Sequence, residues 1–153
     1  MHNMIKTVKT NSKNLDFVEL VKQLDTYLAI IDGEEHSFYA QFNKIDLLNY
    51  VVIAYDNDNP IGCGAMKQIG PNTMEVKRMF TSPSGRKKGV ATTVLNELEN
   101  WALTLGFSTC VLETGIKQTD AVSLYQKTGY QIIENYGQYI GVVNSICFEK
   151  KLN

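Results

Sequence analysis

The chain has 153 residues, 44% of them hydrophobic and 20% charged. That is enough to bury one substantial core and too little for two ordinary domains, and it lies far from the disordered and membrane classes. With 15 Lys and Arg against 16 Asp and Glu the net charge is −1, which offers no general attraction for nucleic acid or an acidic membrane surface.

The opening MHNMIKTVKTNSKN lacks the apolar stretch of a secretory leader. Cys63, Cys110 and Cys147 are odd in number, scattered and set in apolar runs, the pattern of buried reduced thiols rather than a disulfide framework or metal cluster. One domain over residues 1–153, in the cytoplasm and with no metal, is the expectation.

In chain order, residues 5–10 read as a first strand. Over 15–31, Phe17, Leu20, Val21, Leu24 and Leu28 recur at the spacing of one helix face. The segment DGEEHSFYAQFNKIDLL is compatible with a short helix or an irregular flap around Phe38, Tyr39 and Phe42. Residues 50–55 and 61–69 are apolar runs joined by DNDNP, a hairpin bending at Asp58, Asn59 and Pro60. A second turn, GPNT, leads into the strand MEVKRMFT and completes a three-stranded antiparallel meander.

From Val90, the positions Val94, Leu98, Trp101, Ala102 and Leu105 mark the clearest helix, stopped at Gly106. CVLE returns as a strand, AVSLYQKTG as a helix ended by Gly129, YQIIENY as a strand and VVNSICFEKKL as the last. The step from MEVKRMFT through the Val90 helix to CVLE requires one parallel pair in an otherwise antiparallel sheet. The class is therefore α/β (α+β), with a mixed, mostly antiparallel sheet flanked by helices.

The segment SPSGRKKGVATTVL joins a strand to a helix N-terminus, where unpaired amides and a partial positive charge favour an anion. Gly85 and Gly89 permit close backbone approach, and Arg86, Lys87 and Lys88 add charge where a pyrophosphate would sit. A solvated basic turn has the same composition. Two familiar nucleotide motifs are absent. The segment lacks the Gly-Lys-Ser/Thr ending of a P-loop, and the stretch Ile61-Gly-Cys-Gly-Ala-Met-Lys67 has no third glycine for a dinucleotide fingerprint. The strand MEVKRMFT is apolar enough to be central yet carries Glu75, Lys77 and Arg78, charges that need partners or a water-filled site. Simple alternation sets Glu75, Lys77 and Met79 on one face and Val76, Arg78 and Phe80 on the other.

The pattern Arg86-x-x-Gly89-x-Ala91 resembles the cofactor motif of the GCN5-related N-acetyltransferases, written Arg/Gln-x-x-Gly-x-Gly/Ala. MEVKRMFT is similar to the strand that precedes it, and LETGIKQTDAVSLYQKTGY to the family's second conserved block. The likeness runs in order and spacing from Tyr50 to the C-terminus. It implies the acyl-CoA N-acyltransferase fold, a sheet of about seven strands in which two parallel strands splay to admit the pantetheine arm of acetyl-CoA. The cofactor contacts then fall on Met79, Phe80 and Thr81 at the strand end, and on Arg86, Lys87, Lys88, Gly89, Val90, Ala91 and Thr92 in the pyrophosphate loop. Gln118 stands where the family commonly has Asn.

The resemblance implies transfer of acetyl from acetyl-CoA to a primary amine by direct attack in a ternary complex. A proton must leave the amine and the departing thiolate must be protonated. Tyr125, in Ser123-Leu124-Tyr125, corresponds to the family's tyrosine near the cofactor sulfur and is the candidate acid. Glu75, or else Glu113, is the candidate base, directly or through water, unless Glu75 simply pairs with a lysine; a backbone NH at Met79 or its neighbour is the donor to the oxyanion. His36 and the tyrosines Tyr130, Tyr136 and Tyr139 are candidates for the acceptor pocket, although a lone loop histidine is more often a surface residue and packing around the final hairpin explains the tyrosines equally well. The acceptor is a small-molecule or peptide amine of open identity, with a cationic one mildly favoured by the net charge. The last strands offer a surface for a homodimer. A catalytically silent acyl-CoA sensor is the alternative, and a ligand-free interaction domain would leave the basic loop and the charged strand unexplained.

Overall fold

The computed structural model describes residues 5–33 and 47–153. The flap reading, with His36, Phe38, Tyr39 and Phe42, lies outside them. In order the elements are β1 (Ile5–Thr10), α1 (Leu15–Asp32), β2 (Tyr50–Asp56), β3 (Asn59–Gly70), β4 (Thr73–Thr81), α2 (Val90–Thr104), β5 (Thr109–Gly115), α3 (Thr119–Lys127), β6 (Gln131–Ile133) and β7 (Ser145–Lys151). The strands form one sheet in the order β1-β2-β3-β4-β5-β7-β6. Among the described residues, only β4 and β5 pair in parallel, with α2 as the crossover.

The first helix starts where the sequence supplies a side-chain cap. Asn14 accepts from the amides of Asp16 (2.9 Å) and Phe17 (3.2 Å) to open α1. Its stripe of Phe17, Leu20 and Val21 is buried against Val51, Ile53, Cys63 and Ala65 on one face of the sheet. On the other face, Val90, Val94, Leu95, Leu98 and Ala102 of α2 pack with Val52, Met66, Met74, Val76, Leu112 and Phe148. The glycines of the 61–67 stretch make that packing close. A Cβ at Gly62 would stand 2.5 Å from Val90 Cγ1, and one at Gly64 2.5 Å from Met79 Sδ and 2.9 Å from both Val94 and Leu98.

Some boundaries shift from the sequence reading: the hairpin turns at Asn57 and Asp58, with Asn59 and Pro60 already in β3, and β7 begins at Ser145 rather than Val142. Two further details bear on the site. The strand expected over 130–136 shortens to Gln131–Ile133, because the Asn135 amide donates to the carbonyls of Tyr139, Val142 and Ser145 and ties down a loop instead. More consequentially, alternation fails in β4. Cys63 pairs with Phe80 and Ala65 with Lys77, so Arg78 and Met79 together oppose Gly64. This is a β-bulge, with Arg78 at φ +59°. It flips the parity of the strand. Arg78 therefore joins Glu75 and Lys77 on the α1 face, where it meets Asp25, while Met79 joins Val76 on the α2 face.

Candidate active site

The pairing of β4 with β5 covers only Thr73–Glu75 against Thr109–Val111. Beyond it the strands part, so residues 76–81 lose one neighbour and residues 112–115 lose the other. Two adjoining clefts occupy the parting and share Leu24, Met79, Gln118 and Tyr125 in their walls.

The larger cleft, of about 280 Å³, is lined by Met79, Phe80 and Thr81 at the end of β4, by Arg86 and Ala91 of the basic loop, and by Gln118 and Tyr125. The loop is shaped by Lys87 (φ +65°) and Gly89 (φ +73°), which sits as the left-handed N-cap of α2. The first helical bond runs from Thr93 N to Gly89 O at 3.0 Å, so the amides of Val90, Ala91 and Thr92 precede the helix ladder. Gln118 caps α3 without a side-chain hydrogen bond to the helix. The Arg86 guanidinium lies 5.9 Å from the centre of the Tyr27 ring, and both line the cleft. Lys88 is turned elsewhere: its ammonium bonds Asp56 at 3.1 Å, beyond the cleft. Val90 is buried beneath the loop against β3, so it can offer only backbone.

The smaller cleft, of about 80 Å³, faces α1 and gathers the charged residues Glu75, Lys77, Arg78 and Glu113 beside Tyr125 and Tyr139. Glu75 is 5% exposed. Its Oε2 accepts from the Tyr136 hydroxyl at 2.6 Å and its Oε1 lies 3.4 Å from Lys77 Nζ. Glu113 Oε2 accepts from Ser145 Oγ at 2.6 Å. Arg78 Nη1 donates to Asp25 Oδ1 at 3.0 Å.

Tyr125 is buried on α3, edge-on to Tyr130 with ring centres 5.8 Å apart. Burial, and secondarily the Glu113 carboxylate, hold its phenol above the ordinary value, so it keeps its proton through the neutral range. Burial also pushes the Cys63 and Cys110 thiols up to about 12, which makes them poor thiolates and agrees with their reading as core residues.

The structure thus brings together Glu75, Glu113, Met79, Phe80, Thr81, Arg86, Ala91, Gln118 and Tyr125. It divides the three tyrosines proposed for the acceptor pocket. Tyr130 donates to Glu99 at 2.9 Å within the core, whereas Tyr136 bonds Glu75 and Tyr139 lines the smaller cleft. The walls supplied by Leu24, Tyr27 and Leu28 were not anticipated. Leu24 and Leu28 belong to the apolar stripe of α1, and nothing in that periodicity distinguishes the end that overhangs a cleft from the end that fills the core.

A sheet parted along one parallel pair, with an amide-rich helix terminus at one side and a proton-carrying tyrosine at the other, defines an acyl-CoA N-acyltransferase fold. The description "Acetyltransferase (GNAT) family" matches residues 17–130. Among curated proteins, the chain is 29% identical over 137 residues to the IAA acetyltransferase of Azospirillum brasilense, covering 88% of this chain and 90% of that one. It is 37% identical over 101 residues to the uncharacterized N-acetyltransferase YsnE of Bacillus subtilis, covering 65% and 67%. The PaiA N-acetyltransferase of Thermoplasma acidophilum, solved with coenzyme A, superposes with a TM-score of 0.68 at 20% identity over 96% of this chain and 98% of that one. The chain belongs to the GNAT family of acetyltransferases, and is an acyltransferase by class.

Proposed function

We propose that the protein moves the acetyl group of acetyl-CoA to a primary amine by direct attack within a ternary complex. The observation that carries this reading is the position of Tyr125 in the wall common to both clefts, between the basic loop and the carboxylates. The donor set of the larger cleft suits a thioester of coenzyme A. The α2 amides, Gly89 and Arg86 match a pyrophosphate, the open edge of β4 offers backbone groups to an amide-bearing arm, and Gln118 adds a side-chain amide. Acetyl-CoA supplies the activated acyl group.

Around that group the chain's own residues have separable work. The Tyr125 hydroxyl gives its proton to the departing thiolate. A backbone NH at Met79 or its neighbour, on the stretch of β4 beyond the β5 ladder, donates to the acyl oxygen as negative charge develops there. Glu75 takes the proton of the incoming amine, directly or through one water, since an alkylammonium with a pKa of about 10.4 is otherwise unreactive near neutrality. Tyr136 orients that carboxylate through its 2.6 Å bond. Leu24 and Leu28 supply apolar wall to the smaller cleft from α1.

The test is a thermal unfolding midpoint with and without acetyl-CoA, with ATP and NAD as controls, followed by turnover of Tyr125→Phe. A ligand that binds only the folded state raises the midpoint. Loss of a general acid lowers kcat by roughly 10²- to 10⁴-fold while the acetyl-CoA shift persists. No shift at millimolar acetyl-CoA overturns the reading. A larger loss in Glu113→Gln than in Glu75→Gln reassigns the base.

A further inference from the structure

The bulge in β4 has an occupant whose chemistry is only half satisfied. Arg78 has a side chain only 2% exposed, and one of its nitrogens, Nη1, is engaged by Asp25, itself half-exposed on α1. Its Nε and Nη2 have no hydrogen-bond partner among the described residues. A buried guanidinium edge left unpaired is costly, and a non-glycine residue at positive φ adds to the cost. Yet the bulge directs this side chain to the α1 face, into the wall of the smaller cleft. Had the strand continued to alternate, Arg78 would have lain among the apolar residues under α2.

The Nε and Nη2 groups of an arginine present two parallel N–H bonds, the fork that matches both oxygens of a carboxylate. The opposite charge is present in the same cleft, as Glu75 and Glu113. A cleft with carboxylates beside the reacting tyrosine, and with a buried guanidinium edge left unpaired in its wall, complements a molecule that carries an amine and an acid together.

Taking the acetyl-transfer reading above as given, we infer that the acceptor is an amine bearing a carboxylate, an amino acid or a short derivative of one, and that Arg78 selects it by pairing that carboxylate through Nε and Nη2. The bond formed joins the amine nitrogen to the acetyl carbon, the bond broken is the thioester C–S, and the proton lost by the amine balances the one gained by the thiolate. The acceptor carboxylate is unchanged and serves only to hold the amine in place. Arg78 is in this account a specificity-determining residue and takes no proton.

The experiment uses the full chain with saturating acetyl-CoA and follows release of the coenzyme thiol. The α-amino acids, β-alanine and γ-aminobutyrate are each compared with the amide of the same compound. At least one acid is expected to show a kcat/KM roughly 10- to 100-fold above that of its amide, the range for a charge-assisted bidentate pair. Arg78→Gln should abolish that preference by raising KM for the acid, with the acetyl-CoA thermal shift intact. Arg78→Lys, which keeps the charge without the fork, should recover only part. Equal rates on acid and amide, or no turnover of any carboxylate-bearing amine by a protein that acetyl-CoA still stabilises, overturns the assignment and leaves acetyl transfer standing. Absence of the acetyl-CoA shift instead removes the reading on which the inference rests. Should Arg78→Gln fail to fold, the acid and amide comparison on the unaltered protein decides.

Discussion

Gly64 lies where β3, the bulge of β4 and α2 converge, and its replacement by Ala probes all three at once. The new Cβ would stand 2.5 Å from Met79 Sδ and 2.9 Å from both Val94 Cγ1 and Leu98 Cδ1. Carbon contacts relax only near 3.5–4.0 Å, so about 1 Å of clearance has to be found on two sides. Met79 is half-buried and can turn aside. Val94 and Leu98 are fully buried, one turn apart on a single helix, so relief there means moving α2 as a body. Overpacking of this kind costs about 1–3 kcal/mol, which for a chain of this size corresponds to a drop of roughly 2–12 °C in Tm. Because α2 carries the amides of Val90, Ala91 and Thr92 at its start, the variant should also lose part of its stabilisation by acetyl-CoA. Gly70→Ala is the control: its Cβ would meet nothing nearer than Thr73 Cβ at 3.9 Å, and stability should change by no more than about 0.5 kcal/mol. Chemical denaturation of both variants, with Tm measured with and without acetyl-CoA, gives the comparison. A Gly64→Ala protein as stable as the control would show that α2 does not rest on β3 as described.

Other consequences are open to measurement. Tyr136→Phe removes the 2.6 Å donor to Glu75 Oε2 and should lower stability by about 1.5–3 kcal/mol, the range for a hydrogen bond to a charged group, seen as a lower denaturation midpoint; an unchanged midpoint would show the bond to be dispensable. Asn14→Ala removes the side-chain cap of α1 at about 0.5–2 kcal/mol, and Asn14→Asp should retain most of it. Stability should fall on the alkaline side. Cys63 and Cys110 rise from 9.0 to about 12 on folding, and Tyr125, Tyr130 and Tyr136 rise above 10.0. Above about pH 9 the unfolded chain releases protons that the folded chain retains, so unfolding free energy declines with pH, by up to about 1.4 kcal/mol per unit for each group. Denaturation series at pH 8, 9 and 10 test the sign, and a flat or rising trend contradicts it.

How far the sequence was legible depends on what set each feature. Periodicity located β1, α1, the meander and α2 closely, because each buries one face and little else competes. The shape of the loop before α2 was legible because Gly89 answers to backbone geometry, which is local. The face of Arg78 was not. It depends on an extra residue in β4 opposite Gly64, and strand alternation carries no record of such an insertion. The 130–136 segment has the composition of a strand, but one asparagine side chain bonding three carbonyls outcompetes the ladder after Ile133. Lys88 reads as one more phosphate contact until Asp56, 32 residues earlier, is seen to hold it.

The short register between β4 and β5 has a mechanical consequence. Among the described residues three pairs make up the whole ladder between β4 and β5, so the sheet consists of two leaves, β1 to β4 on one side and β5, β7 and β6 on the other, bound along a brief spine and bridged by the side chains packed beneath α2. Each leaf therefore has an inner margin that no described strand pairs, the kind of margin that elsewhere invites a foreign strand. A narrow amide-bearing chain laid in the gap would act as a partial eighth strand, lending its hydrogen bonds to leaves that do not reach one another. Occupancy of the cleft and rigidity of the sheet would then be one property, and amide exchange at residues 76–81 and 112–115 the place to watch it.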